Sequence, residues 1–182
     1  MRSDAGRSVF QVRIVSPGGK PFECGHRIPV RPDFAVEDDP TGDIVIVPEL
    51  WLGLDEDLRG RHPELLAWIR RRYEGGAWLY SACSGSVMLA ATGLLDGCEA
   101  TSHFADLRGR IVTAGGTNSW HDLALHVIGR HASSGEALRI AKVQLLKLHG
   151  EGQLPYRALV RGHPTGDAVR SSAASRPPPA PP

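Results

Sequence analysis

The chain has almost no net charge: 21 Lys and Arg stand against 20 Asp and Glu over 182 residues, a formal +1. That balance argues against a protein that holds nucleic acid through a clustered basic excess. Eighteen of the basic residues are Arg, scattered along the chain, and the run Arg70-Arg71-Arg72 reads as a solvated helix end. Cysteine is scarce. Cys24, Cys83 and Cys98 form an odd set without regular spacing, which fits a reducing compartment better than a disulfide framework and points to the cytoplasm. The opening residues lack the uninterrupted apolar stretch of a cleavable signal. One run alone, residues 77–95 (AWLYSACSGSVMLAATGLL), is free of charge over the length of a bilayer span. Ser81, Ser84, Gly85, Ser86, Thr92 and Gly93 punctuate it, so it reads as a buried strand entering a buried helix, and no membrane partner is expected. Cys24-Gly25-His26 has no second ligand pair nearby, so no metal site is expected. Gly18-Gly19 and Gly115-Gly116 are not phosphate-cradling patterns, so no cofactor is expected either.

What remains is an α/β pattern. Residues 9–16 (VFQVRIVS) read as a strand ended by Pro17-Gly18-Gly19, and residues 21–42 as a small hairpin or loop. DIVIVP, residues 43–48, is the short β-branched run of a buried parallel strand. Leu65, Leu66, Ile69 and Tyr73 recur at helical spacing after Pro63, which predicts an amphipathic helix closed by Gly75-Gly76. A strand over 77–82, a helix over 85–95, a short strand over 99–103 and a strand over 110–114 follow. Helices over 120–131 and 135–149 complete the alternation, and a mainly parallel sheet is its usual outcome. Beyond residue 161 periodicity stops, so we divide the chain into a domain over 1–161 and a disordered tail rich in Pro, Ala and Ser over 162–182.

The strongest chemical signal is Ala82-Cys83-Ser84-Gly85-Ser86, placed between a predicted strand and a predicted helix. A strand-to-helix turn presents the side chain at its apex, the geometry of a nucleophile elbow. The helix start and the amides of Ser84 and Gly85 would favour a thiolate at Cys83 and could hold an oxyanion. The competing reading is packing, because cysteine is among the most buried residue types. Spacing alone leaves the two level.

Residues 73–104 (YEGGAWLYSACSGSVMLAATGLLDGCEATSHF) resemble the elbow region of the PfpI-like branch of class I glutamine amidotransferases. The form they are most similar to is the N-terminal domain of AraC-type transcriptional regulators. Residues 111–156 resemble the second half of the same domain, and DIVIVP resembles the strand before its first loop. The resemblance implies a flavodoxin-like three-layer sandwich, usually a homodimer. It places Cys83 at the elbow and His103 near it as candidate catalytic residues, with Gly115, Gly116 and Thr117 lining the same pocket. Ser84 and Gly85 join the ligand-binding set, and Asp122 matches an acid at the start of the following helix, where capping is the favoured role.

Several features depart from the family pattern. Its first strand and helix, which carry an acid aimed at the cysteine, have no counterpart in the sequence as it stands. The loop after DIVIVP begins Pro48-Glu49 rather than with glycine, so Glu49 is a candidate ligand contact or substitute acid. The stretch between Phe104 and Arg110 is shorter than in the family, and nothing after Tyr156 resembles a helix-turn-helix. Two functions follow. The favoured one is a regulatory domain that binds a small molecule near Cys83, without catalysis and without touching DNA itself. The other is a cysteine-dependent hydratase, amidase or glyoxalase-like enzyme acting on a small carbon–nitrogen or carbonyl substrate.

Overall fold

The structure, a computed structural model, describes residues 8–51, 57–98, 105–107, 109–115 and 120–147. The expected strand over 99–103, the tail from 162, His103, Gly116 and Thr117 lie outside the described residues.

The main sheet has four strands: β5 (Ile44–Val47), β6 (Trp78–Ala82), β7 (Ala105–Leu107) and β8 (Ile111–Ala114), in the order β5-β6-β8-β7. β5, β6 and β8 are parallel; β7 runs antiparallel along β8. The parallel trio falls where the β-branched and apolar runs predicted it. The antiparallel β7 occupies the stretch that looked shortened in the sequence, and no periodicity of its own announced it.

Between β5 and β6 come α1 (Leu58–Arg61) and α2 (Pro63–Glu74), the latter starting at Pro63 as the missing proline N–H favours. α3 (Gly85–Ala91) follows β6, and α4 (Trp120–His131) and α5 (Ser134–Val143) follow β8. Alternation along the strands sends Val45, Val47, Leu79 and Ile111 to one face, where they join Leu66, Ile69, Met88 and Leu89 in a single apolar core. Tyr80, Val112 and Ala114 point the other way and meet Leu123 and Val127 of α4. α5 packs on α4, its N-terminus capped by Ser133, whose side chain accepts from the Glu136 amide. Helices therefore cover both faces of a sheet that is largely parallel, the three-layer α/β arrangement expected.

Two helices stop short of their predicted ends. α3 was expected to reach residue 95, but the Thr92 hydroxyl donates to the Leu89 carbonyl at 2.6 Å and Gly93 is left-handed at φ 79, which turns the chain away. α5 ends at Val143, and Leu145 is left-handed with φ 53.

The segment before the main sheet is less regular than its sequence suggests. Of the strand expected over residues 9–16, only β1 (Val15–Ser16) forms, pairing in parallel with β4 (Phe34–Ala35). Val12 is 79% exposed, so the face that alternation assigns to Phe10, Val12 and Ile14 is covered at Phe10 but not along its length. The hairpin expected in 21–42 is present as β2 (Phe22–Cys24) against β3 (Ile28–Val30). Asp39, left-handed at φ 48, ties this segment to α2 through Arg71 and Arg72 at 2.9 and 3.0 Å. Those two arginines of the run therefore act as an anchor rather than as a purely solvated helix end.

Candidate functional site

β6 ends at Ala82, and the chain turns into α3 through Cys83 and Ser84. Cys83 is half-buried with φ 48, a left-handed conformation that is uncommon for any residue with a β-carbon and characteristic of strained functional turns. The turn is pinned on both sides. The Cys83 amide donates to the Ala114 carbonyl at the end of β8 (2.7 Å), while the Ser86 amide and hydroxyl both donate to the Cys83 carbonyl (3.2 and 2.9 Å).

On the opposite side lies the loop leaving β5. The Ser84 hydroxyl donates to the Leu50 carbonyl at 2.7 Å and accepts from the Leu50 amide at 2.8 Å. Gly85 is packed so closely that a β-carbon there would sit 2.5 Å from the Val47 carbonyl oxygen and 2.6 Å from that of Pro48. Glycine is required by this approach, with no appeal to unusual torsions. Cys83 thus stands at the carboxyl ends of three parallel strands, between the chain leaving β5 and the chain leaving β8, the crevice where open α/β sheets bind ligands.

The other expected site residues are distributed as follows. Glu49 is exposed on the β5 loop, next to Leu50 and to Trp51, which is 96% exposed. Gly115, half-buried, continues directly from β8. Asp122 is half-buried in the first turn of α4, a position where a carboxylate complements the helix dipole. Its neighbour His121 stacks on Trp120, ring centroids 3.5 Å apart. The structure therefore brings Cys83, Ser84, Gly85, the Glu49 backbone and the exit of β8 to one end of the sheet.

The sequence places Ser84 in the site through its amide; its hydroxyl is engaged with Leu50. Sequence reasoning passed over Ser81 and Thr113. These two are register partners on β6 and β8, both buried, and neither hydroxyl has a hydrogen-bond partner. A serine inside an otherwise apolar strand was the visible signal. Among the described residues no cluster of three or more His, Cys, Asp or Glu could hold a metal, and no helix is long and apolar enough to cross a membrane.

Residues 4–134 match the DJ-1/PfpI family. The chain belongs to that family. Its curated relatives include HTH-type transcriptional regulators of Pseudomonas aeruginosa: CdhR, 33% identical over 96 residues, and GbdR, 26% identical over 146. Those alignments take in 53% and 69% of this chain but 27% and 38% of the regulators, so the chain spans well under half the length of either. Isonitrile hydratase of Pseudomonas putida is 30% identical over 95 residues, which is 52% of this chain and 40% of the enzyme. Among solved structures, a ThiJ/PfpI family protein from Pseudomonas syringae superposes with a TM-score of 0.63 at 19% identity, over 74% of this chain and 62% of that one. A DJ-1 superfamily protein from Salmonella typhimurium gives 0.61 at 18%, over 74% and 82%. At such identities these structures establish the fold, a DJ-1/PfpI flavodoxin-like α/β domain. The regulators add that this DJ-1/PfpI domain is related to ones found in transcriptional control.

Proposed function

We propose that this domain is a ligand-sensing module of the regulator-related kind, with a small molecule held at the carboxyl end of the sheet beside Cys83. The observation that carries the reading is the elbow itself: a half-buried thiol at φ 48, fixed by Ala114 on one side and by the Ser84–Leu50 contact on the other. Backbone strain of this kind persists only where the surroundings over-determine it. The relation to CdhR and GbdR supports sensing over turnover. In this reading the module works in the cytoplasm as a homodimer, and the 182 residues do not bind DNA themselves. Gly115, Gly116, Thr117 and Asp122 would complete the pocket, with His103 approaching the thiol.

A second reading is favoured by the likeness to isonitrile hydratase. In it Cys83 is a nucleophile, His103 its base or orienter, and the amides of Ser84 and Gly85 receive the oxyanion. One experiment separates the two. The purified protein is incubated with a panel of small nitriles, isonitriles, amides, amines and carboxylates, while alkylation of Cys83 and loss of each compound are followed together. Sensing predicts a compound that protects Cys83 and raises the melting temperature yet is recovered unchanged. Consumption of a compound, abolished in Cys83→Ala, would establish the enzyme instead. No protection by any member of the panel would count against both.

A further inference from the structure

Both backbone groups of Cys83 are bonded within the protein. Its amide donates to the Ala114 carbonyl at 2.7 Å, and its carbonyl receives the Ser86 amide at 3.2 Å and the Ser86 hydroxyl at 2.9 Å. The amide contact closes the turn and needs no particular residue at 86. The hydroxyl contact exists only because residue 86 carries an oxygen on its β-carbon. The two serines of Cys83-Ser84-Gly85-Ser86 also forgo the role serine usually takes at a helix start. The Ser84 side chain, at the N-cap of α3, would ordinarily accept from an amide of the first turn. It makes no such bond and is engaged with Leu50, while Ser86 reaches back out of the helix to Cys83. Ser84 thus ties the turn to the chain leaving β5. Ser86 fixes the peptide plane that follows Cys83, and Ala114 fixes the plane before it. Each plane is rigid, so the torsions between them are held as well.

We infer that Ser86 is a positioning residue for Cys83: its hydroxyl, bonded to the Cys83 carbonyl, holds the thiol at the apex of the turn. The inference rests on the reading of Cys83 as the ligand site and adds the residue that keeps the thiol presented there. A left-handed residue with a β-carbon is disfavoured by the approach of that carbon to the following carbonyl oxygen. Once the plane after Cys83 is free, the residue drifts from φ 48 towards negative φ, and the side chain swings off the apex. No neighbour in the first turn of α3 replaces the hydroxyl: Gly85 has no side chain and Val87 is apolar.

The test is the rate of Cys83 alkylation by iodoacetamide, quantified by peptide mass against exposed Cys24 in the same sample. Ser86→Ala is expected to slow Cys83 about fivefold relative to Cys24, the factor that one hydrogen bond supplies. The factor should be the same at every pH tested, because the hydroxyl governs where the thiol points and not whether it is ionised. Ser86→Thr keeps the hydroxyl and is expected to hold the wild-type rate. Ser86→Val, of nearly the same shape without it, is expected to fall with Ser86→Ala, and this pair answers the question if Ser86→Ala is too unstable to purify. A merely structural hydroxyl would loosen the turn on removal and speed Cys83 alkylation in both the alanine and the valine variants, which overturns the inference. So does a rate unchanged in both, or a factor that varies with pH. A Cys83 that iodoacetamide does not reach in the wild type overturns this inference and the ligand site together. The expected rates without protection of Cys83 by any small molecule overturn the sensing role and leave Ser86 its own.

Discussion

On one face of the main sheet, Val45, Val47, Leu79 and Ile111 lie under α2 and α3 in a continuous aliphatic core. On the other, Tyr80, Val112 and Ala114 meet α4, with Phe10, Ile44 and Trp78 partly buried beside them. There the contacts turn aromatic and polar. The Tyr80 hydroxyl and His131 Nε2 share a hydrogen bond of 2.8 Å, the Trp78 and Tyr80 rings stack at 6.2 Å, and Arg130 sits 4.0 Å over the Trp78 ring. Ile46, the register neighbour of fully buried Tyr80, is 53% exposed. The elbow is braced from the aliphatic side, where Gly85 and Ser84 touch the β5 exit. Tight packing and a strained turn thus go together, while the second face is held by fewer, more directional contacts.

The largest tests of this contrast fall on the aliphatic face. Gly85→Ala drives a β-carbon into two backbone carbonyls that cannot rotate away, and should lower stability by about 3 kcal/mol in a urea titration. Leu79→Ala, with no exposed surface, should lose about as much, whereas Ile46→Ala on the other face should lose under about 1 kcal/mol. Equal losses at Leu79 and Ile46 would dissolve the contrast.

Strain at the elbow predicts a smaller effect of opposite sign. Cys83→Gly should be more stable than Cys83→Ala by about 1 kcal/mol, since both lose the thiol and only glycine adopts φ 48 freely. An alanine variant as stable as the glycine one would mean the turn relaxes. Thr113→Val should hold stability or raise it by up to about 1 kcal/mol, because it removes a buried hydroxyl without a partner and keeps the shape. A clear loss there would show that the hydroxyl is satisfied in solution.

The smallest effect belongs to the aromatic face and appears with pH. Burial, reinforced by the positive charge of Arg130 and opposed by Asp43, holds the His131 pKa below its usual 6.5. The folded protein therefore binds fewer protons here than the unfolded chain, and stability rises with pH through this window. The contribution of His131 is complete above about 6.5, falls as pH drops below that value, and is gone once pH passes the lowered folded pKa. His131→Gln should flatten that part of a melting-temperature profile. His62 is shifted the same way, by burial first and Arg61 next, so the wild-type slope should be only partly removed. A profile unchanged in His131→Gln would assign the slope elsewhere.

Much of this architecture is legible in the sequence because burial leaves a local signature. DIVIVP became β5, the Leu65-Leu66-Ile69-Tyr73 spacing became α2, and the small residues after Cys83 marked the strand-to-helix turn. Other features depended on distant partners. Val9–Ile14 has the composition of a strand but buries little beyond Phe10, and of residues 9–16 only Val15 and Ser16 form a strand. β7 is antiparallel because it leads into β8 across a turn at Gly109, left-handed at φ 72, and nothing in Ala105–Leu107 states a direction. For Ser84, position at the turn pointed to its amide, while the partner of its hydroxyl, the backbone of Leu50 34 positions earlier, left no local trace. A side chain's chemistry is local information; its partner is topological.

The Ser84–Leu50 contact also has a practical side. Immediately after Leu50 comes Trp51, the most exposed of the four tryptophans, while Trp68 is buried and donates through Nε1 to the Pro40 carbonyl at 3.1 Å. The loop bonded to the elbow therefore comes with its own fluorophore. A species that settles over Cys83 and shields this indole would shift its emission to shorter wavelength and reduce quenching by iodide, so occupancy could be followed optically on the unlabelled protein.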